Sequence, residues 1–174
     1  MAFLFLVYLL FFIPLNGRDV NMLLIIFLFI WNLIDLSSVF WLFKKKHRLF
    51  DDRFTTTMGM AITMTSAFAF ALYLKLLLPV NQPGFYLVPI IAGVCIGLLF
   101  GSFIQSPALL NGLYNGIMGG MMGMMFGAVL QNPALCNIPI DSASMIESNI
   151  VSLAIFTACS HALVSQFIRY SFKV

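Results

Sequence analysis

Long apolar runs, separated by short polar stretches, constrain this chain more than any other feature. A helix needs about 20 mostly apolar residues to cross a hydrocarbon core about 30 Å thick. Runs of this kind recur at 1–15, 21–43, 55–79, 86–104, 112–130 and 150–167. Between them only 9% of the 174 residues are charged, against 61% hydrophobic. Soluble domains are about 25% charged and about 45–50% apolar. That balance excludes a soluble globular domain, a disordered chain and a nucleic-acid binder. Six spans with short loops would use the whole sequence, which predicts one all-α integral membrane domain over 1–174. The first run lacks a basic flank and a small-residue cleavage site, so it reads as a retained helix and not a signal peptide.

The basic residues set the predicted orientation. Cytoplasmic loops of membrane proteins are enriched in Lys and Arg. Placing Lys44, Lys45, Lys46 and Arg48 inside brings Arg53, Arg169 and Lys173 to the same side, and leaves only Arg18 and Lys75 outside. Both termini then lie in the cytoplasm. Lys75, one turn from the outer end of its run, is expected to snorkel to the headgroups. Cys95, Cys136 and Cys159 show no paired spacing and are expected to be free thiols.

Two stretches of the chain resemble each other. FGSFIQSPALLN at 100–111 and FGAVLQNPALCN at 126–137 agree at seven of twelve positions. The match extends back over 87–111 and 113–137, aligning Gly93, Gly97 and Gly101 with Gly119, Gly123 and Gly127. Copies on consecutive spans cross the membrane in opposite senses, which is the pattern of an inverted repeat. Gln105 with Pro107, and Gln131 with Pro133, are expected to stop each copy's helix, because proline cannot continue one. Small residues four apart let helix backbones approach closely in lipid. A tight hairpin of spans four and five is expected, with a glycine surface left over for a second subunit.

Met118, Met121, Met122, Met124 and Met125 surround these glycines. Met118/Met122 and Met121/Met125 each share a helix face. Thioethers are soft ligands that suit Cu(I), so Met118, Met121, Met122 and Met125 are candidate Cu(I) ligands. Adaptable packing beside glycine gaps is the competing role. Paired methionines beside GxxxG resemble the eukaryotic-type copper transporter family. That family has three spans, keeps the two motifs on separate helices and carries a Met-rich external tail, so membership is not assigned. The run MGGMMGMMFGAV also resembles small Gly/Met-rich multi-span bacterial membrane proteins, a resemblance that brings no function with it.

Ionisable groups inside a membrane are costly and point to function. Asp35 lies near the middle of the second run, with Asn32 and Ser38 three residues to either side on its face. His161 lies near the middle of the last run, with Thr157 one turn before it. Counting from span centres puts Asp35, Cys95, Met121, Met122, Cys159 and His161 at one depth. A cation site or proton relay would need them to meet. An Asp–His or Asp–Asn hydrogen bond that fixes packing would need only two helices. Nucleophile-elbow, HExxH and phosphate-loop motifs are absent from the sequence, so no enzymatic role is expected. Two functions follow: a small transporter or channel-like protein for a cation such as Cu(I), or a non-catalytic accessory subunit of a larger membrane complex. Either would sit in the bilayer of a cell membrane, bacterial by its resemblance, as a homo-oligomer or beside a membrane-protein partner.

Overall fold

A computed structural model describes residues 18–46, 52–78, 86–102, 106–133 and 143–173. They form five helices and, among the described residues, no strand. The helices are α1 (Arg18–Lys46), α2 (Asp52–Leu77), α3 (Val88–Gly101), α4 (Ser106–Gln131) and α5 (Ala143–Ser171). Four carry stretches long and apolar enough to cross a membrane: Asn21–Lys45, Arg53–Leu77, Pro107–Gln131 and Met145–Ser171. The all-helical membrane-protein character expected from the sequence is therefore present. The first apolar run, 1–15, lies outside the described residues, as do Gln105 and Cys136.

The middle of the chain departs from its expected boundaries. The run 86–104 yields a helix of only 14 residues, about 21 Å at 1.5 Å per residue. That is shorter than the four other helices, whose apolar stretches run 25–27 residues. Residues 106–111, expected as loop, already belong to α4. Pro107 is the reason: proline is well placed in the first turn of a helix, where its missing N–H costs nothing. The two Gln-x-Pro tails therefore act oppositely. The first opens α4, whereas Gln131 is the last residue of α4 and Pro133 follows it.

The bundle is built around α2, which packs against the four other helices. Its residues Ile62, Ala67, Ala69, Ala71, Leu72 and Tyr73 are fully buried. On one flank lies the α3–α4 hairpin, on the other the pair α1–α5. Phe43 of α1 meets Phe172, the residue after α5, with ring centroids 5.0 Å apart. Asn21 and Glu147 line one cavity at their beginnings. Helices α1 and α5 thus run parallel, and Lys44, Lys45, Arg169 and Lys173 come to one end of the bundle.

Glycines set the spacing of the other flank. A Cβ on Gly93 would stand 2.6 Å from the Gly116 carbonyl oxygen, and one on Gly101 would stand 2.8 Å from the Leu109 Cα. Gly97 lies against the Gly112 carbonyl in the same way. The next row of α4 faces α2: a Cβ on Gly119 would stand 2.7 Å from the Met64 carbonyl oxygen, and Gly123 abuts the Phe68 carbonyl. So α4 presents one glycine row to α3 and another to α2. Both rows are occupied within the chain, which removes the leftover glycine surface expected to face a second subunit.

Apolar side chains gather in two clusters. One holds Leu24, Leu28, Tyr73, Ala154 and Ala158. The other, toward the basic end, holds Val39, Phe43, Ile62, Phe100, Ile168 and Phe172. Between them on α1 and α5 lie the buried polar residues Asn32, His161 and Ser165.

The glycine contacts yield a direct test. Gly97→Val should lower unfolding stability in detergent by about 3 kcal/mol, the upper range for overpacking. Gly59→Ala should leave stability unchanged or raise it by up to about 1 kcal/mol, because a Cβ there meets only Phe43 Cε1 at 3.9 Å.

Candidate functional site

Two polar stripes face each other across the α1–α5 pair. On α1, Asn32, Asp35 and Ser38 recur every three residues. On α5, Thr157, His161, Ser165 and Arg169 recur every four. Both spacings return to nearly the same face of a helix. Residues Thr157, His161 and Ser165 are buried, as is Asn32.

Asp35 is the hub. Its Oδ1 accepts a hydrogen bond from Nη2 of Arg169, forming an ion pair. The same nitrogen donates to Ser38 Oγ at 2.6 Å. Ser38 Oγ in turn donates to the Asp35 carbonyl at 3.0 Å. The other carboxylate oxygen, Oδ2, stands 3.6 Å from His161 Nδ1. That separation is just beyond a hydrogen bond. Neither His161 nitrogen has a hydrogen-bond partner among the described residues, and neither does Ser165 Oγ. His161 is 1% exposed, Asp35 14% and Arg169 34%.

Helix geometry explains how an end residue reaches the middle. Asp35 lies eight residues before Phe43, about 12 Å deeper in the bundle. Arg169 lies only three residues before Phe172. Helical side chains lean toward the helix N-terminus, and the long Arg169 side chain uses that lean to reach down to Asp35. The span expected to end at Phe167 therefore continues through Arg169, which belongs to the site and does not follow the span. The four-residue period 157, 161, 165, 169 is the sequence signal that would have included it.

A notch of about 290 Å³ opens beside this centre on the outer flank of the α1–α5 pair. It is lined by Trp31, Ile34, Asp35, Ser38, Ala162, Gln166 and Arg169. Deeper in the bundle, Asn32 Nδ2 donates to the Leu28 carbonyl at 2.9 Å and approaches Tyr73 Oη at 3.4 Å. Tyr73 Oη donates to the Ala154 carbonyl at 2.8 Å, which ties α2 to α5.

The other candidate residues do not join this centre. Asp35 and His161 lie on α1 and α5, whereas the methionines lie on α4, which packs chiefly on α2 and α3. Met121, Met122 and Met125 are 43%, 44% and 62% exposed, and Met118 is half-buried. Cys95 lines an apolar groove with Phe29, Leu33, Phe70 and Phe100. Cys159 is a buried free thiol in the cluster with Tyr73. Equal depth on four spans thus does not become one site. Among the described residues, no group of three or more His, Cys, Asp or Glu side chains stands together to hold a metal.

Lys75 also differs from its expected place. It is 4% exposed, its stem against Gly127 and its ammonium 4.1 Å above the Tyr86 ring. The gap left by the missing Gly127 side chain admits the stem, and the ring face attracts the cation. Burial on α4 has replaced snorkelling to the headgroups.

The centre is tested by a double-mutant cycle. Asp35→Asn and Arg169→Gln should each destabilise the protein in detergent. Their combination should cost less than the sum by about 1–3 kcal/mol, the coupling expected of a partly exposed ion pair. Additive losses would show that the two side chains act independently.

No family model matches the chain, and no curated protein or solved structure shows significant similarity to it.

Proposed function

We propose that the chain is a small membrane transport protein for a cation, with Asp35, His161 and Arg169 as its charge-handling centre. The observation that carries this reading is the placement of His161. It is a buried imidazole without hydrogen-bond partners among the described residues, beside a carboxylate that an arginine already holds. Buried polar groups are ordinarily satisfied, and ionisable groups in spans ordinarily serve ion or proton pathways.

The mechanism follows from charge. Asp35 and Arg169 neutralise each other, and a neutral His161 leaves the centre uncharged within the hydrocarbon. A proton arriving on His161 presents an N–H to Asp35 Oδ2 and competes with Arg169 for the carboxylate. Arg169 stands in the last turn of α5 and is one-third exposed, so it can swing toward the headgroups when the carboxylate is shared. The cation in this reading is a proton and not Cu(I), because Asp35 and His161 stand beside each other while Met121, Met122 and Met125 lie on the bundle surface.

In the membrane we place six spans, counting 1–15 and the α3 segment, with both termini and the basic end in the cytoplasm of a bacterial cell. The pair 87–111 and 113–137 then forms an inverted hairpin, and copies of the chain assemble through faces other than the glycine rows. The chain performs no catalysis. The second reading, an accessory subunit of a larger membrane complex, draws on the exposed face of α4 with Met121, Met122, Met125 and Phe126. It would use that face for a partner helix.

Proton flux into liposomes distinguishes the two. Purified protein, reconstituted with an internal pH dye and driven by a potassium diffusion potential, should carry protons above the protein-free rate. Asp35→Asn and His161→Gln should each lower that flux by about tenfold or more, the scale on which a positioned proton-transfer group acts. Changing Met118, Met121, Met122 and Met125 together to Leu should leave it intact. Flux equal to protein-free liposomes would favour the accessory role.

A further inference from the structure

An apolar groove of about 560 Å³ lies on the flank of the bundle where α1 and α3 both pack on α2. One wall is α1 from Phe29 to Phe40 and the other is α3 from Ala92 to Phe100, with Phe70 and Leu74 contributed by α2. Leu33, Cys95 and Leu99 of this lining are exposed. The hydroxyl in the lining, on Ser37, donates to the Leu33 carbonyl at 2.9 Å. It is therefore already engaged within α1 and does not call for a polar ligand.

The Phe100 ring stands 5.7 Å from Phe40 and 5.5 Å from Phe43, between centroids, which sets one end of the groove toward the basic residues. The other end, at Phe29, lies near the middle of the apolar stretch Asn21–Lys45. From Phe29 to Phe40 is about 16 Å at 1.5 Å per residue. That is roughly half of a hydrocarbon core about 30 Å thick. A membrane-crossing helix would need a groove of the full thickness, whereas one acyl chain of a single leaflet needs half. On α1 the lining residues Phe29, Leu33, Leu36 and Phe40 recur three or four apart, and the next position on that face is Lys44. Lys44 is exposed, and a lysine stem lies along apolar surface while its ammonium stays among the headgroups. The neighbouring Lys45 ammonium stands over the Trp41 ring instead, 5.4 Å from its centroid.

We infer that this groove seats one acyl chain of an anionic phospholipid, with the lipid phosphate at Lys44. An apolar chain matches the lining, and the ammonium at the basic end matches a headgroup of net negative charge. Lysines that flank a span attract anionic lipids in this way. A zwitterionic lipid with the same chains fits the groove equally, but its choline offsets the phosphate. The site requires only that the chain spans a bilayer. It uses neither Asp35 nor His161, so it stands or falls separately from proton transport.

Quenching of tryptophan fluorescence by brominated lipids tests the site with the full chain in vesicles. With Trp31 and Trp41 both changed to Phe, the chain has no tryptophan. Leu99→Trp then puts a lone reporter in the groove, and Phe156→Trp puts one on an exposed position of α5. Each is reconstituted in phosphatidylcholine with rising fractions of phosphatidylglycerol or phosphatidylcholine brominated in mid-chain. At Leu99→Trp, phosphatidylglycerol should be preferred about fivefold, the increment of one lysine near a membrane surface. Phe156→Trp should show no such preference. Lys44→Gln should lower the preference at Leu99→Trp to that at Phe156→Trp. Should Leu99→Trp not fold, Leu33→Trp on the facing wall reports in its place. A groove tryptophan that neither lipid quenches overturns the inference, because protein, either a second copy or the apolar run 1–15, then fills the groove. Equal quenching by the two lipids overturns it as well. So does the same preference at both reporter positions, or a preference that survives Lys44→Gln.

Discussion

A carboxylate in the middle of an apolar helix must be neutralised, and the arrangement of α1 and α5 depends on how Asp35 meets that demand. Its neutralising partner, Arg169, lies at the far end of α5. The pairing is geometrically open only if the two helices run parallel, because Arg169 leans back toward its own N-terminus. Phe43 then stands beside Phe172, and Asn21 and Glu147 line one cavity. The parallel pair brings Lys44, Lys45, Arg169 and Lys173 to one end of the bundle and the cavity of Asn21 and Glu147 to the other. His161 is drawn beside Asp35 by the same register.

The opposite flank is held by a different principle. Lipid tails give no hydrophobic drive for helix association, so close backbone approach and dispersion must supply it. Helix α4 meets that need twice, with Gly112, Gly116 and Gly120 on α3 and Gly119, Gly123 and Gly127 on α2. Helix α2 therefore separates a dry, glycine-packed half from a half in which polar side chains lie between two apolar clusters. Close backbone packing thus stands on one side of α2, and buried polar groups without hydrogen-bond partners among the described residues stand on the other.

The sequence discloses spans better than neighbours. Hydrophobic length marks the four long helices, because burying backbone in hydrocarbon demands internally hydrogen-bonded segments. It overstates α3, which ends at Gly101 with Ser102 as its C-cap, while Pro107 lies in the first turn of the next helix. Depth along a span is also legible, and it brings Asp35 and His161 to one level. Which way each helix faces is not contained in depth. Met121 and Met122 share the level and turn outward, and Cys95 faces a groove of phenylalanines. Arg169 is hidden when its span is ended at Phe167, although its four-residue period with His161 and Ser165 runs through that boundary. Lys75 could not be placed from its neighbours in sequence, because its burial depends on Gly127 and Tyr86, both distant along the chain.

The contacts of Asp35 with both Arg169 and His161 make the three side chains one electrostatic unit. The most direct measurement is the ¹⁵N imidazole spectrum of His161 in lipid bilayers, with His47→Gln leaving a single labelled histidine. At fixed pH, Asp35→Asn and Arg169→Gln should each move both ring-nitrogen resonances, because each alters the charge that faces Nδ1. Resonances that stay in place in both variants would mean that His161 is indifferent to the carboxylate beside it and that the three side chains are not one unit.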